Sequence, residues 1–211
     1  QLGLRDARLQ PVYAIDGRAE LVEETLDHLA GAFGSKPVRV GNQAYEHQQN
    51  DVFGELMLTI TPVFFDIRYE NRVGLDQLWQ LVDHLAEEVM KIWRTEDAGI
   101  WEYRDQPAHY VFSKLMCWVA LDRAAQIADV RDEADKRERW KAEAEVIRAE
   151  ILDKGWDEEV GAYTGAYGIQ HLDAANLLMG HTGFIDPKSE RFLKTVEAIE
   201  RELVVDGLCF R

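Results

Sequence analysis

Cysteine is almost absent from these 211 residues: Cys117 and Cys209 are the two there are, with no metal-type spacing and no partner within a short loop. A disulfide framework and a thiolate metal knuckle are therefore excluded as the basis of the fold, and both residues are expected as reduced, buried thiols. Basic residues are scarce beside acidic ones. Against 39 Asp and Glu stand 24 Lys and Arg, a formal net charge of -15. That balance opposes phosphate backbones and anionic lipid headgroups, so nucleic acid and membrane surfaces are poor partners and a neutral ligand fits better. Long apolar runs are missing too. Leu115 to Leu121 is the longest, far short of the roughly 20 residues a helix needs to cross a bilayer. Gln1 to Arg8 has no apolar core of a secretory leader, and the expected location is cytoplasmic. No Gly-rich loop follows a strand, which argues against nucleotide chemistry, and no Asp-Asp dipeptide or zinc ligand set is present.

What is abundant is helical periodicity. With 46% hydrophobic and 30% charged residues, the chain can bury a sizeable core. Leu75, Leu78, Trp79, Val82, Leu85, Ala86, Val89, Ile92 and Trp93 form one stripe at i, i+3, i+4, i+7 spacing with charges opposite, the pattern of a helix with one wet face. Tyr110 to Ile127 is apolar nearly all round until Asp122 and Arg123, the pattern of a buried helix. Glu133 to Leu152 is striped, Leu172 to Met179 is mostly apolar, and Lys188 to Val204 is striped again. Gln43 to Ile60 belongs with the buried set. Alternation of buried and striped helices predicts an all-α fold of concentric inner and outer helices, an incomplete (α/α)6 toroid.

The connections repeat the rhythm. Gly31 to Asn42, Glu96 to His109 and Gly155 to His171 are long and rich in Gly, Pro and aromatics, and each leads into a buried helix. In an antiparallel array every second connection lies at the same end, so these three loops are expected on one face, where function should sit. In the second of them Glu102 follows Ile100 and Trp101 and precedes Tyr103. Apolar surroundings disfavour ionisation and would keep a neutral acid available to protonate a leaving oxygen; a solvated loop glutamate beside two core aromatics has the same pattern. His47, Asp51 and Glu55 share a helix face at i, i+4, i+8 spacing, but nothing supplies a second ligand set, so no metal and no cofactor are expected. Ser113 and Lys114 are adjacent helix residues that point to different sides, which discounts a Ser-Lys nucleophile pair.

The stretches "PVYAIDG", "GSKPVRVGNQA", "QQNDVFGE", "GIWEYR", "SKLMCWVALDRA", "GWDEEVGAYTGAYG", "LDAANLL" and "TVEAIERELVVDGLCFR" occur in an order that resembles glycoside hydrolase family 15, the glucoamylase-like enzymes that also include glucodextranases and some microbial trehalases. The resemblance covers nearly the whole chain. It implies a six-hairpin toroid and neutral α-glucoside substrates, such as oligosaccharides or trehalose. It makes Glu102 the general acid, with Ile100 and Trp101 shaping the adjoining glucose subsite and Arg211 as the sugar-binding arginine. Gln49 and Asp51, in the "QQND" stretch, resemble pocket-lining residues. Tyr103 and Tyr45 stand where fungal relatives carry a second Glu and a Trp, which alters contacts beyond the first sugar.

Two landmarks of the resembled family have no counterpart here, an Arg-Asp sugar clamp upstream and a second catalytic Glu near an Asn-Phe-Pro segment downstream. Inversion needs two carboxyls, an acid and a base that activates water, about 6.5 to 9.5 Å apart. Residues 1–211 are therefore expected to be the central segment of one catalytic domain, inactive alone, whose open edges a companion segment or a second copy would cover. The function expected first is inverting, exo-acting, glucoamylase-like hydrolysis, with trehalase as the alternative. A noncatalytic helical module that binds a partner along its apolar edges is the rival from another class.

Overall fold

A computed structural model describes residues 9–66, 68, 74–103 and 105–210. The chain divides into two compact units, one ending at Gln49 and one beginning at Asn50. The first is built from turns. Strands β1 (Glu24–Thr25) and β2 (Arg39–Val40) pair antiparallel, with Glu24 opposite Val40. Gln43–Glu46 form one 3-10 turn, which Asn42 starts by accepting the Ala44 amide at 3.0 Å. His47 then leaves in an extended conformation (φ -69°, ψ 140°). The helix expected from Gln43 is thus cut in two, because a side-chain cap and an extended residue interrupt the ladder.

The second unit opens with α1 (Asp51–Phe65), followed by α2 (Leu75–Ile92), α3 (Val111–Val130) and α4 (Ala134–Lys154). The two predicted kinds of helix are both present. Along α2 the buried side chains are Trp79, Val82, Leu85, Ala86 and Val89; along α4 they are Trp140, Ala144, Ile147 and Ile151, each set a single stripe. Helix α3 is buried almost throughout, from Val111 to Leu121 without a break, so it is the inner helix against which α1, α2 and α4 pack. Trp79 and Trp140 meet edge to face, centroids 5.8 Å apart, joining the two outer helices. Inner α1 and α3 approach backbone to backbone at Gly54, where an added Cβ would lie 2.2 Å from the Met116 carbonyl oxygen.

Beyond α4, β3 (Trp156–Asp157) and β4 (Ala162–Tyr163) make a short antiparallel hairpin. The third buried helix is reduced from its expected extent. Asp173 accepts the Ala175 amide at 2.8 Å and starts a 3-10 turn, Ala174–Leu177, and one α-turn follows, α5 (Leu178–His181). Gly183, at φ 80°, then reverses the chain, and the amides of Phe184 and Ile185 cap the Met179 carbonyl. Helix α6 (Glu190–Leu203) is striped through Phe192, Thr195, Ala198 and Ile199. The hairpin of β5 (Val204–Val205) and β6 (Leu208–Cys209) ends the described chain. Cys117 is buried as expected, but Cys209 is exposed, since it lies on this outer hairpin. Among the described residues no helix is long and apolar enough to cross a membrane.

Candidate active site

The loop between α2 and α3 is held at both ends before it carries anything. Lys114, on α3 and fully buried, donates from Nζ to the carbonyls of Trp93 and Thr95, the latter at 2.6 Å. A cation thus sits on the unsatisfied carbonyl end of α2, where the helix dipole is negative. This is the role of the lysine beside Ser113, an anchor for the loop. Two residues after Thr95, Asp97 and Ala108 exchange both backbone hydrogen bonds, at 3.0 and 3.1 Å, and close the loop's base.

Between those two residues the chain makes a capped turn. The Tyr103 amide donates to Ala98 at 3.2 Å and the Glu102 amide to Gly99 at 3.1 Å. These are the paired bonds that end a helical turn on a left-handed residue. That residue is Glu102, with φ 55°, a conformation glycine adopts freely and other residues adopt at a cost of about 1 kcal/mol or more. Gly99 (φ 66°) begins the turn under the Tyr110 ring, where an added Cβ would come within 2.8 Å of Cδ2. Tyr110 stacks on Tyr103 at 5.6 Å, and its hydroxyl donates to the Gln106 carbonyl at 2.8 Å. Trp101 donates from Nε1 to Asp173 Oδ2 at 2.8 Å. The second long loop is therefore tied to the turn that follows the third, and the Tyr167 amide, donating to the His109 carbonyl at 3.1 Å, ties it to the third loop itself, which also accepts the Val111 amide of α3 at Gly165, 3.0 Å.

Glu102 itself is exposed, while Ile100, Trp101 and Tyr103 are half-buried. Among the described residues the apolar enclosure expected around its carboxyl is not seen, since Glu102 is exposed on the turn. The buried carboxyls are others. Asp51, first residue of α1, and Asp97 are each 2% exposed. Burial first, and the neighbouring Asp97 charge second, push Asp51 up to about 7. Burial also raises Asp97, partly offset by the Asn50 amide that donates to its Oδ2 at 2.8 Å.

A cleft of about 730 Å³ adjoins Tyr103, lined also by Gln106, Tyr110, Gln170, His171 and Glu202. Its size and its mixture of aromatic faces with polar groups suit a sugar. Of the residues expected at the site, Ile100, Trp101, Glu102 and Tyr103 are together on one turn, and Asp51 lies in the same unit. Gln49 and Tyr45 belong to the first unit; Gln49 is buried, and the Tyr45 hydroxyl donates to Glu46 at 3.0 Å. Arg211 lies outside the described residues. Among the described residues no group of three or more His, Cys, Asp or Glu could hold a metal ion. Asp173 and Asp97 were not singled out from sequence, although the Asp before "AANLL" is a capping signal.

An all-α array of inner and outer helices, with its capped loops gathered at the head of an inner helix, defines the toroid fold of helical glycosidases. A solved structure described as a glycosidase variant in complex with glucose shares it, with a TM-score of 0.67 at 18% identity over 84% of this chain and 48% of that one. The chain belongs to glycosyl hydrolases family 15, whose model matches residues 3–210. It is 40% identical over 203 residues to a trehalase of Mycolicibacterium smegmatis and 41% identical over 204 residues to one of Mycobacterium tuberculosis. A trehalase of Thermoplasma volcanium is 34% identical over 207 residues. These alignments cover 96% to 98% of this chain but 29% to 32% of the relatives, so the chain spans about a third of their length.

Proposed function

We propose that these residues are the central part of a family 15 glycoside hydrolase that cleaves trehalose, with Glu102 as its general acid. The observation that carries the substrate is the set of relatives named trehalase, each aligned over nearly this whole chain. They favour the reading that the sequence analysis placed second over glucoamylase-like release of glucose from α-glucans. The chemistry is carried by the turn. Glu102 is held by two backbone bonds in a costly conformation beside a tryptophan that is itself pinned by Asp173. A flat indole face packs on a sugar ring, and the adjacent carboxyl protonates the glycosidic oxygen as the bond breaks. The base that activates water from the opposite face is supplied outside these residues, and inversion is the stereochemical outcome.

The test is an assay of the full-length protein on trehalose and on maltooligosaccharides. Glucose from trehalose is expected. Glucose from maltooligosaccharides alone would return the assignment to the glucoamylase type, and no hydrolysis of either would favour a noncatalytic helical module.

A further inference from the structure

Trp101 and Asp173 are 72 positions apart in the chain, yet each is braced on the head of the same inner helix. On one side, Lys114 of α3 holds the carbonyls of Trp93 and Thr95, from which the Glu102 loop departs. On the other, the Val111 amide at the start of α3 donates to the Gly165 carbonyl at 3.0 Å. The Gly165 amide in turn donates at 2.8 Å to the carbonyl of His171, two residues before Asp173. Contact there is close: a Cβ on Gly165 would lie 2.5 Å from His171 Nε2 and 3.5 Å from Asp173 Cβ. Asn176 fastens the turn that Asp173 starts, its side-chain amide donating to the Thr164 carbonyl at 2.8 Å and to the Tyr163 carbonyl at 3.3 Å. The Trp101 to Asp173 bond therefore joins two arms whose other ends are both fixed to α3, and closes them into a ring.

Asp173 is 5% exposed, and both of its oxygens are used. Oδ1 accepts the Ala175 amide at 2.8 Å, and Oδ2 accepts the Trp101 indole N–H at 2.8 Å. The first bond is a cap, which serine or asparagine would make as well. The second is what calls for a carboxylate. Two N–H groups need two accepting oxygens, whereas asparagine has one oxygen and would set its NH2 group against the other donor. We propose that Asp173 is a positioning residue for the acid: by holding the indole N–H it sets the plane of the Trp101 ring, and with it the glucose-facing surface and the adjoining backbone that carries Glu102.

The physical reason is rotamer freedom. Once the capped turn fixes the Trp101 backbone, two side-chain torsions still govern where the ring points. A bond at Nε1 selects one setting of both. Trp101 is half-buried and Glu102 exposed, so solvent competes for the ring's orientation unless a buried acceptor decides it. Asp173 acts through the indole rather than on the substrate. Its contribution is to keep the sugar ring and the acid in register, and a misplacement of about 1 Å between reacting groups lowers a rate by about 100-fold.

The inference rests on Glu102 being the acid; the coupling of Asp173 to Trp101 does not, and the experiment separates them. In the full-length enzyme Asp173→Ser keeps the cap on Ala175 but takes the acceptor from the indole. Its kcat/KM on trehalose should fall by about 10- to 100-fold, and by less on a glucosyl fluoride, which needs no acid. Asp173→Asn, with one oxygen for two donors, should lose a similar amount. Trp101→Phe keeps a ring but has no N–H, so adding Asp173→Ser to it should lower kcat/KM by no more than about twofold further. A turn merely damaged at its cap would lose equally on both substrates and in both backgrounds. That result overturns the proposal, as does full activity in Asp173→Ser. Where turnover in Trp101→Phe is too slow to follow, the same cycle is read from glucose binding by calorimetry, and additive losses there overturn the proposal. Glu102→Gln with turnover intact would retire the acid assignment, while non-additive losses in glucose binding would keep the Trp101 to Asp173 brace.

Discussion

Glu102 combines exposure with a backbone that is costly to hold, and at residue scale that combination marks it. A loop free to choose would place glycine or asparagine at φ 55°; here two amide bonds, a stacked tyrosine pair and the Trp101 to Asp173 bond hold glutamate there. Glu102→Gln in the full-length enzyme keeps the size and the turn but removes the transferable proton, so turnover should fall by roughly two to four orders of magnitude with binding largely retained. A glucosyl fluoride, whose leaving group needs no protonation, should recover much of the loss. Equal loss on both substrates would point to a damaged fold. Glu102 and Trp101 were legible in sequence because they lie side by side within six residues of "GIWEYR". Asp97 and Asp173 were not, since the first acts on a residue 47 positions away and the second on one 72 positions away. No local pattern records such a pairing.

At the scale of elements, hydrophobic period decided most of the fold. The stripes of α2, α4 and α6 and the all-round apolarity of α3 translate directly into outer and inner helices. Polar and extended residues outvote the period at two places. Extended His47 interrupts Gln43–Ile60, and Asp173 starts a 3-10 turn inside Leu172–Met179, two stretches whose apolar content suggested continuous α-helix. Close approach leaves no mark in the period either, because a glycine in a helix is a weak helix former whatever packs on it. Gly54 is the case in point. With the Met116 backbone filling the space where its Cβ would go, Gly54→Ala should separate α1 from α3 and cost about 1 to 3 kcal/mol. Gly161→Ala meets nothing within 4 Å but must hold φ 70°, which costs about 1 to 2 kcal/mol. Chemical denaturation should find both variants destabilised. Only Gly54→Ala should also weaken protection in the first turns of both inner helices; unchanged protection there would refute the close-packing account.

For the molecule as a whole, the decisive fact is length: the chain spans about a third of the trehalases it matches. Its family was legible because the ordered motifs are spread along nearly all of the sequence, whereas its substrate was not. Specificity among α-glucosides depends on contacts beyond the first sugar, and the motifs that were read concern the acid and the ring beside it. Leu58 and Phe65 on α1, Leu193 on α6, and Val205, Leu208 and Phe210 on the last hairpin are each exposed, and exposed apolar side chains favour association when they meet a partner surface. The 211-residue chain alone should therefore associate, or melt without a sharp cooperative transition, while the full-length protein melts sharply. On the proposed roles, with Glu102 as acid and the base outside these residues, it should also release no appreciable glucose from trehalose, since inversion needs both carboxyls. A monomeric, sharply melting 211-residue chain would show that the exposed seams need no cover. Robust turnover by that chain, free of contaminating glucosidase, would place the base among these residues and require the roles of its buried carboxyls to be reassigned.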